Sequence, residues 1–196
     1  MDNNCSAVIL GSGLSERMGK PKALLHWDES TTFLEKIINE YNKADCSEII
    51  CMINIKTKDF CNTLNLPSNI KFVMNLHPEW GRFYSIKTAV QALKEIDYCF
   101  IQNVDNPFVS IDLIEKIYSE RNSYAWCSPM YNEKGGHPIL IPKYIFNKIP
   151  EVKINDMSLL DFLIPFQRII IETDDDTILK NINTPEDYTL FLKSKS

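Results

Sequence analysis

A chain of 196 residues, 44% hydrophobic and 24% charged, is long enough to bury a substantial core and lies within the range of one domain. Its formal net charge of -5 and pI near 5.3 supply no basic surface for phosphate backbones, which excludes polymeric nucleic acid as an expected partner. No run of about 18 apolar residues could span a bilayer, and Met1-Asp2-Asn3-Asn4 lacks the basic-then-apolar order of a signal peptide, so no membrane contact and a cytoplasmic setting are expected.

Taken in chain order, the first apolar run is Ala7 to Leu10, read as a buried strand, and it leads into a glycine-rich segment. Residues 32 to 44 place Phe33, Leu34, Ile37, Ile38 and Tyr41 on one helical face. Strands follow at Ile49 to Ile53 and Ile70 to Met74, then a second amphipathic helix over 84 to 95 with Ile86, Ala89, Val90 and Leu93 inward. After a strand at Tyr98 to Ile101 come a helix over 110 to 121, a strand at Ile139 to Ile141, a helix over 157 to 164 and a strand at Ile169 to Ile171. A last helix spans 185 to 193, with Thr184 as cap and Pro185 at its first position. Alternation of this kind predicts a single α/β domain over 1–196, a Rossmann-like three-layer sandwich with a mostly parallel sheet, whose ligands gather beyond the carboxyl ends of the strands. The six cysteines contain no C-x-x-C pair and mostly sit in apolar runs, so they are expected as buried free thiols.

The segment Leu10-Gly11-Ser12-Gly13-Leu14-Ser15-Glu16-Arg17-Met18-Gly19-Lys20-Pro21-Lys22 follows a strand and concentrates glycines, hydroxyls and cations. Glycines let backbone N–H groups approach anionic oxygens, and Arg17, Lys20 and Lys22 can neutralise them, so the loop suits a polyphosphate. A solvated basic turn is the plainer reading. Two other glycine loops are excluded by counting: a dinucleotide fingerprint needs glycine where Glu16 stands, and a P-loop needs four residues between its glycines and Ser or Thr where Pro21 stands.

The pattern L-G-S-G-L-S-E-R-M-G-K-P-K-A-L-L resembles the amino-terminal signature of the MobA-like nucleotidyltransferases, especially the branch containing molybdenum cofactor cytidylyltransferase, usually written L-A-A-G-x-S-x-R-M-G-x-x-K. Where that family has Ala-Ala or Ala-Gly, this chain has Gly11-Ser12. The resemblance implies a fold of the nucleotide-diphospho-sugar transferase type. It also implies a nucleotide site using Leu10, Gly11, Ser12, Gly13, Ser15, Arg17 and Lys22.

Later segments extend the resemblance along most of the chain. Asn75 followed by Trp80-Gly81-Arg82-Phe83-Tyr84-Ser85 is similar to the family's region that meets base and ribose, implying Asn75, Gly81 and Ser85 as nucleotide contacts; Ser85 also reads as a helix cap. Phe100 to Pro107 resembles the family strand ending in D-x-P, whose aspartate binds the catalytic Mg²⁺, here Asp105. Hard Mg²⁺ takes one or two protein oxygens plus phosphate and water; an ordinary Asp-x-Pro turn is the alternative. Gly136-His137-Pro138 resembles a G-H-P strand near the acceptor, implying His137 as an acceptor contact rather than a general base. Asn181-Ile182-Asn183-Thr184-Pro185-Glu186-Asp187 is similar to the terminal element that supplies a second metal ligand, implying Asn183 and, more loosely, Asn181. The family's Gly-Asp-rich acceptor loop is replaced by Val152 to Leu159. There Asp156 could serve the acceptor, or Asn155-Asp156 could cap the next helix.

The reaction these similarities imply is Mg²⁺-dependent transfer of a nucleotidyl group, with CTP favoured as donor, to a small phosphorylated acceptor of molybdopterin type, releasing pyrophosphate. Arg17, Lys22 and Asp105 would carry the catalysis by positioning and charge stabilisation. Two rivals stand beside it. One is a sugar-phosphate nucleotidyltransferase or glycosyltransferase-like enzyme using Asn103-Val104-Asp105; the other is an inactive nucleotide-binding homologue, favoured by the paired asparagines at 181 and 183.

Overall fold

The computed structural model describes residues 4–153 and 157–195. Strands β1 (Cys5–Leu10), β2 (Glu48–Ile53) and β4 (Tyr98–Asn103) lie in the middle of an eight-stranded sheet with β3 (Ile70–Met74), β5 (Trp126–Tyr131), β6 (Lys134–Gly135), β7 (Ile139–Pro142) and β8 (Arg168–Glu172). The order is β3-β2-β1-β4-β7-β5-β6, with β8 paired to β5. Pairs β1–β2, β2–β3, β1–β4 and β5–β8 are parallel, whereas β7 runs antiparallel to both β4 and β5. Parallel strands covered on both faces read as unbroken apolar runs, and every residue of β1 and β2 is buried.

Alternation of side chains along β1 separates two core layers. Cys5, Ala7 and Ile9 face one layer, where α1 (Phe33–Lys43), α4 (Ile111–Ser119) and α7 (Pro185–Lys195) contribute Phe33, Ile37, Tyr41, Ile114, Ile117 and Phe191. Val8 and Leu10 face the other, built from α3 (Gly81–Ala92), α5 (Lys143–Phe146) and α6 (Leu159–Leu163) through Phe83, Ile86, Phe146, Phe162 and Leu163. A further short helix, α2 (Lys58–Thr63), follows β2. The helices start where their chemistry directs: Thr32 and Glu35 form a reciprocal capping box on α1, and Ser110 accepts from the Leu113 N–H on α4. At α7 the Thr184 hydroxyl accepts from the Asp187 N–H at 3.2 Å while the Asp187 carboxylate accepts from the Thr184 N–H at 2.9 Å. All six cysteines are buried free thiols, as expected.

The differences from the sequence reading have physical causes. β5 is not legible because Pro129 sits inside it, and proline reads against a strand that must donate to a ladder. β3 and β8 are half-buried rather than buried, since each pairs with one neighbour and ends its side of the sheet. Helix α3 begins at Gly81, earlier than its apolar pattern suggests, and α6 is capped by Ser158 with Asp161 rather than by Asn155-Asp156. Residues 154–156 lie outside the described residues, and Asp156 with them. Among the described residues no helix is long and apolar enough to cross a membrane.

Candidate active site

The carboxyl ends of β1 and β4 lie side by side, and the loops leaving them meet. Gly11 continues the ladder by donating its N–H to the Met52 carbonyl at 3.0 Å, and a Cβ added there would stand 3.0 Å from that oxygen. From the end of β2, the Asn54 side chain donates to the carbonyls of Ser12 and Gly13 at 3.0 and 3.1 Å, which ties the glycine-rich loop to β2. Ser15 adopts a left-handed φ of 54°, unusual for a residue with a side chain, and its hydroxyl accepts from the Lys22 N–H at 3.2 Å. The glycine-rich loop is thereby tied to the segment that carries Lys22.

A cavity of about 340 Å³ lies over this loop. Leu10, Gly11, Ser12, Gly13, Ser15, Arg17, Lys22, Gly81, Ser85, Asp105 and Asn183 all line it, so eleven residues scattered over the sequence become one surface. Asn75 stands behind that surface. It is buried and donates to the Ser85 hydroxyl at 2.9 Å, while the Ser12 and Ser85 hydroxyls lie 3.0 Å apart. It meets the cavity only through these two hydroxyls.

At the opposite end the Lys22 ammonium sits between two oxygens, 3.1 Å from Asp105 Oδ2 and 2.6 Å from Asn183 Oδ1. Asp105 Oδ1 is enclosed without a hydrogen-bond partner among the described residues. Asn183 is delivered by a chain of contacts: the Ile182 N–H donates to the Asp105 carbonyl at 2.7 Å, and the Asn183 N–H donates to the Asp187 carboxylate at 2.9 Å. The backbone N–H groups of Asn183 and Thr184, both donating to it, hold the Asp187 carboxyl below its ordinary range, with the nearby Lys22 charge adding to the effect. Asn181 is exposed and does not line the cavity. One carboxylate and one amide oxygen converging on a cation, with a further carboxylate oxygen unpaired, fit a hard divalent ion that keeps most of its ligands from phosphate and water. They do not form an all-protein cage, and no group of three His, Cys, Asp or Glu side chains suited to a metal exists among the described residues.

A second cavity of about 430 Å³ adjoins the first and shares Leu10, Arg82 and Asn103 with it. His137 lines it, with the Asn103 side-chain amide 2.7 Å from His137 Nε2 and with Nδ1 enclosed and unpartnered among the described residues. Desolvation, with the Arg82 charge adding to it, pushes the imidazole down to about 4, so the ring is neutral at physiological pH. The remaining wall is more apolar, with Trp126, Leu159 and Leu160 beside Arg168. The Arg168 guanidinium lies 5.0 Å over the Trp126 ring, and its Nε donates to the Ser128 hydroxyl at 3.0 Å. Ser158 and Leu159 also line this cavity, so the segment after residue 156 reaches it.

Four contributors escape a reading of the sequence. Asn54 and Asn106 act through carbonyls far along the chain, and Arg168 opens an apolar strand with no motif around it. Arg82 sits inside a recognised segment but faces both cavities, which only the fold reveals.

Residues 7–167 match the MobA-like NTP transferase domain. The chain is similar to the molybdenum cofactor cytidylyltransferase of Escherichia coli (strain K12), 31% identical over 182 residues that cover 92% of each. It also resembles a probable molybdenum cofactor guanylyltransferase of Clostridium perfringens (strain 13 / Type A), 26% identical over 97% of each chain. A Mycobacterium tuberculosis H37Rv protein solved in complex with manganese shares the fold, with a TM-score of 0.79, 17% identity and coverage of 97% of this chain and 99% of that one. The domain match spans most of the sequence and includes the strands that carry the glycine-rich loop and Asp105, so this chain belongs to the MobA-like NTP transferases and is a nucleotidyltransferase.

Proposed function

We propose that the chain transfers CMP from CTP to a phosphorylated acceptor of molybdopterin type, in the presence of Mg²⁺, with release of pyrophosphate. The observation that carries this reading is the convergence of the glycine-rich loop, Lys22, Asp105 and Asn183 on one cavity that shares Leu10, Arg82 and Asn103 with a second. The loop amides and Arg17 would hold the triphosphate, and Ser12 and Ser85, set by Asn75, would meet the nucleoside. Asp105 and Asn183 would hold the metal, which when bound supplies charge neutralisation at the reacting phosphates. His137 would contact the acceptor in the second cavity, and Asp156 is proposed for the same role.

The chain's own work is alignment and charge. An acceptor phosphate oxygen forms a bond to the α-phosphorus as the bond from that phosphorus to the β-phosphate oxygen breaks, and the electron pair leaves on pyrophosphate. Arg17 and Lys22 offset the charge that accumulates on the leaving group. The acceptor is already a nucleophile, so no side chain need remove a proton, in keeping with the neutral, poorly basic His137.

The preference for CTP over GTP is supported by the 31% identity to the cytidylyltransferase over 92% of the chain, against 26% to the Clostridium perfringens guanylyltransferase, and by the Ser-Glu-Arg-Met-Gly and Gly-His-Pro segments. Metal dependence is supported by the oxygen pair and by the manganese complex of the structural relative. The test is pyrophosphate release from CTP, GTP, ATP and UTP with molybdopterin and Mg²⁺. Release with CTP alone supports the reading, release with GTP alone reassigns the base, and a nucleoside diphosphate product from a nucleotide sugar would replace nucleotidyl transfer by glycosyl transfer.

A further inference from the structure

We infer that Lys22 occupies the metal position of the nucleotide-free protein, so that a divalent cation enters only together with a polyphosphate that draws the lysine away. The inference rests on the reading of Asp105 and Asn183 as the metal ligands. Its basis is a single ammonium shared by two oxygens from distant parts of the chain, at 3.1 Å from Asp105 Oδ2 and 2.6 Å from Asn183 Oδ1. These are the two protein oxygens that would otherwise bind the cation, and both side chains of the Lys22–Asp105 pair are largely shielded from water.

A bare cation entering this position must displace a charge-assisted pair and leave the lysine charge a few ångströms away. The cost is not matched by new ligands, because the described residues bring no group of three His, Cys, Asp or Glu side chains together that could hold a metal. A triphosphate changes the balance. It brings anionic oxygens that can complete the coordination of the metal, and it offers Lys22 a better partner beside Arg17 and the loop amides. The lysine can make that exchange without moving its backbone, because its N–H is held by the Ser15 hydroxyl while its stem is flexible. In the nucleotide-free state the same ammonium keeps Asp105 from being a buried, uncompensated charge.

This assigns Lys22 two successive partners and predicts an order of binding, nucleotide with metal rather than metal first. The experiment is equilibrium binding of Mn²⁺ alone, followed by the resonance of the free aqueous ion, to the full chain without nucleotide. The wild type and Lys22→Met, Lys22→Gln and Lys22→Arg are compared, together with the double variant Lys22→Met/Asp105→Asn. The expected result is weak binding by the wild type and Lys22→Arg. Mn²⁺ should bind at least about tenfold tighter to Lys22→Met and Lys22→Gln, the scale of one charge-assisted hydrogen bond no longer displaced. The double variant should lose that gain. A parallel melting experiment should show Mn²⁺ raising the Tm of Lys22→Met but not that of the wild type. Equal or weaker Mn²⁺ binding by both neutral variants, or a gain that survives Asp105→Asn, overturns the inference. Neither CTP nor an acceptor is present, so this outcome is separate from success or failure of the transfer assay.

Discussion

The Asn106 side-chain amide donates to the Lys180 carbonyl across 2.8 Å, and the same nitrogen reaches the carbonyls of Thr177 at 3.0 Å and Ile178 at 3.3 Å. A residue one step beyond Asp105 thus anchors the segment that ends in Asn183, so the two proposed metal ligands share a scaffold. Gln102, also fully buried, donates to the carbonyls of Asn103 and Asn106 and fixes the turn from which both act.

Replacing Asn106 by Ala should leave buried carbonyls unpaired, at about 1–3 kcal/mol of stability, and should release the 177–183 segment. The expected outcome is a lowered Tm together with a loss of nucleotidyl transfer larger than the lost folded fraction explains. Calorimetry alongside pyrophosphate release at a temperature where the variant is folded checks both. Full activity per folded molecule would show that Asn183 reaches its place without this anchor.

Gly13 and Gly136 separate a requirement of the ligand from a requirement of the fold. Among the described residues a Cβ at Gly13 meets no atom within 4 Å, whereas one at Gly136 would lie 2.6 Å from the Ile178 carbonyl oxygen. Gly13→Val should therefore change stability by no more than about 1 kcal/mol yet weaken CTP binding about tenfold or more, a loss of roughly 1.4 kcal/mol. Gly136→Val should lower the Tm directly. Thermal melting with and without CTP distinguishes the two.

His137 binds its proton less readily in the fold than in the unfolded chain, pushed from its ordinary 6.5 down to about 4 mainly by desolvation. Between those values the unfolded chain holds more protons, so stability falls as the pH drops from about 6.5 toward 4 and levels off for this group below that. The contribution is at most about 3 kcal/mol at 1.36 kcal/mol per unit. His137→Gln should flatten this part of the stability profile in urea melts across that range. An unchanged slope would place the acid sensitivity in other groups.

Arg168 lies over Trp126 in the second cavity, and no ion pair to it is present among the described residues. Arg168→Met should raise the KM for the acceptor about tenfold to a hundredfold, as for a hydrogen bond to a charged group worth about 1.5–3 kcal/mol, with the KM for CTP unchanged. Steady-state kinetics with each substrate varied in turn checks it. Equal effects on both KM values would mean that the arginine supports the fold around Ser128 rather than the acceptor.

Local and periodic features are legible in the sequence alone. Buried parallel strands announce themselves as apolar runs, so β1, β2 and β4 were legible, and the glycine-rich loop was legible because its chemistry is contiguous from Leu10 to Lys22. The roles proposed for Asp105 and Asn183 rest on likeness to a family, since an aspartate before a turn and an asparagine before a helix cap have plainer explanations. Tertiary structure alone decided which groups face one another. Lys22 and Asn183 are separated by 161 positions and meet at 2.6 Å, and the Asn54, Asn106 and Arg168 contacts depend on strand register and loop closure. The antiparallel course of β7 belongs with them, since its four apolar residues read alike in either direction. Periodicity reports which face of an element is buried; the partner across that face is set by how the sheet pairs and packs, a condition that no local stretch of the chain contains.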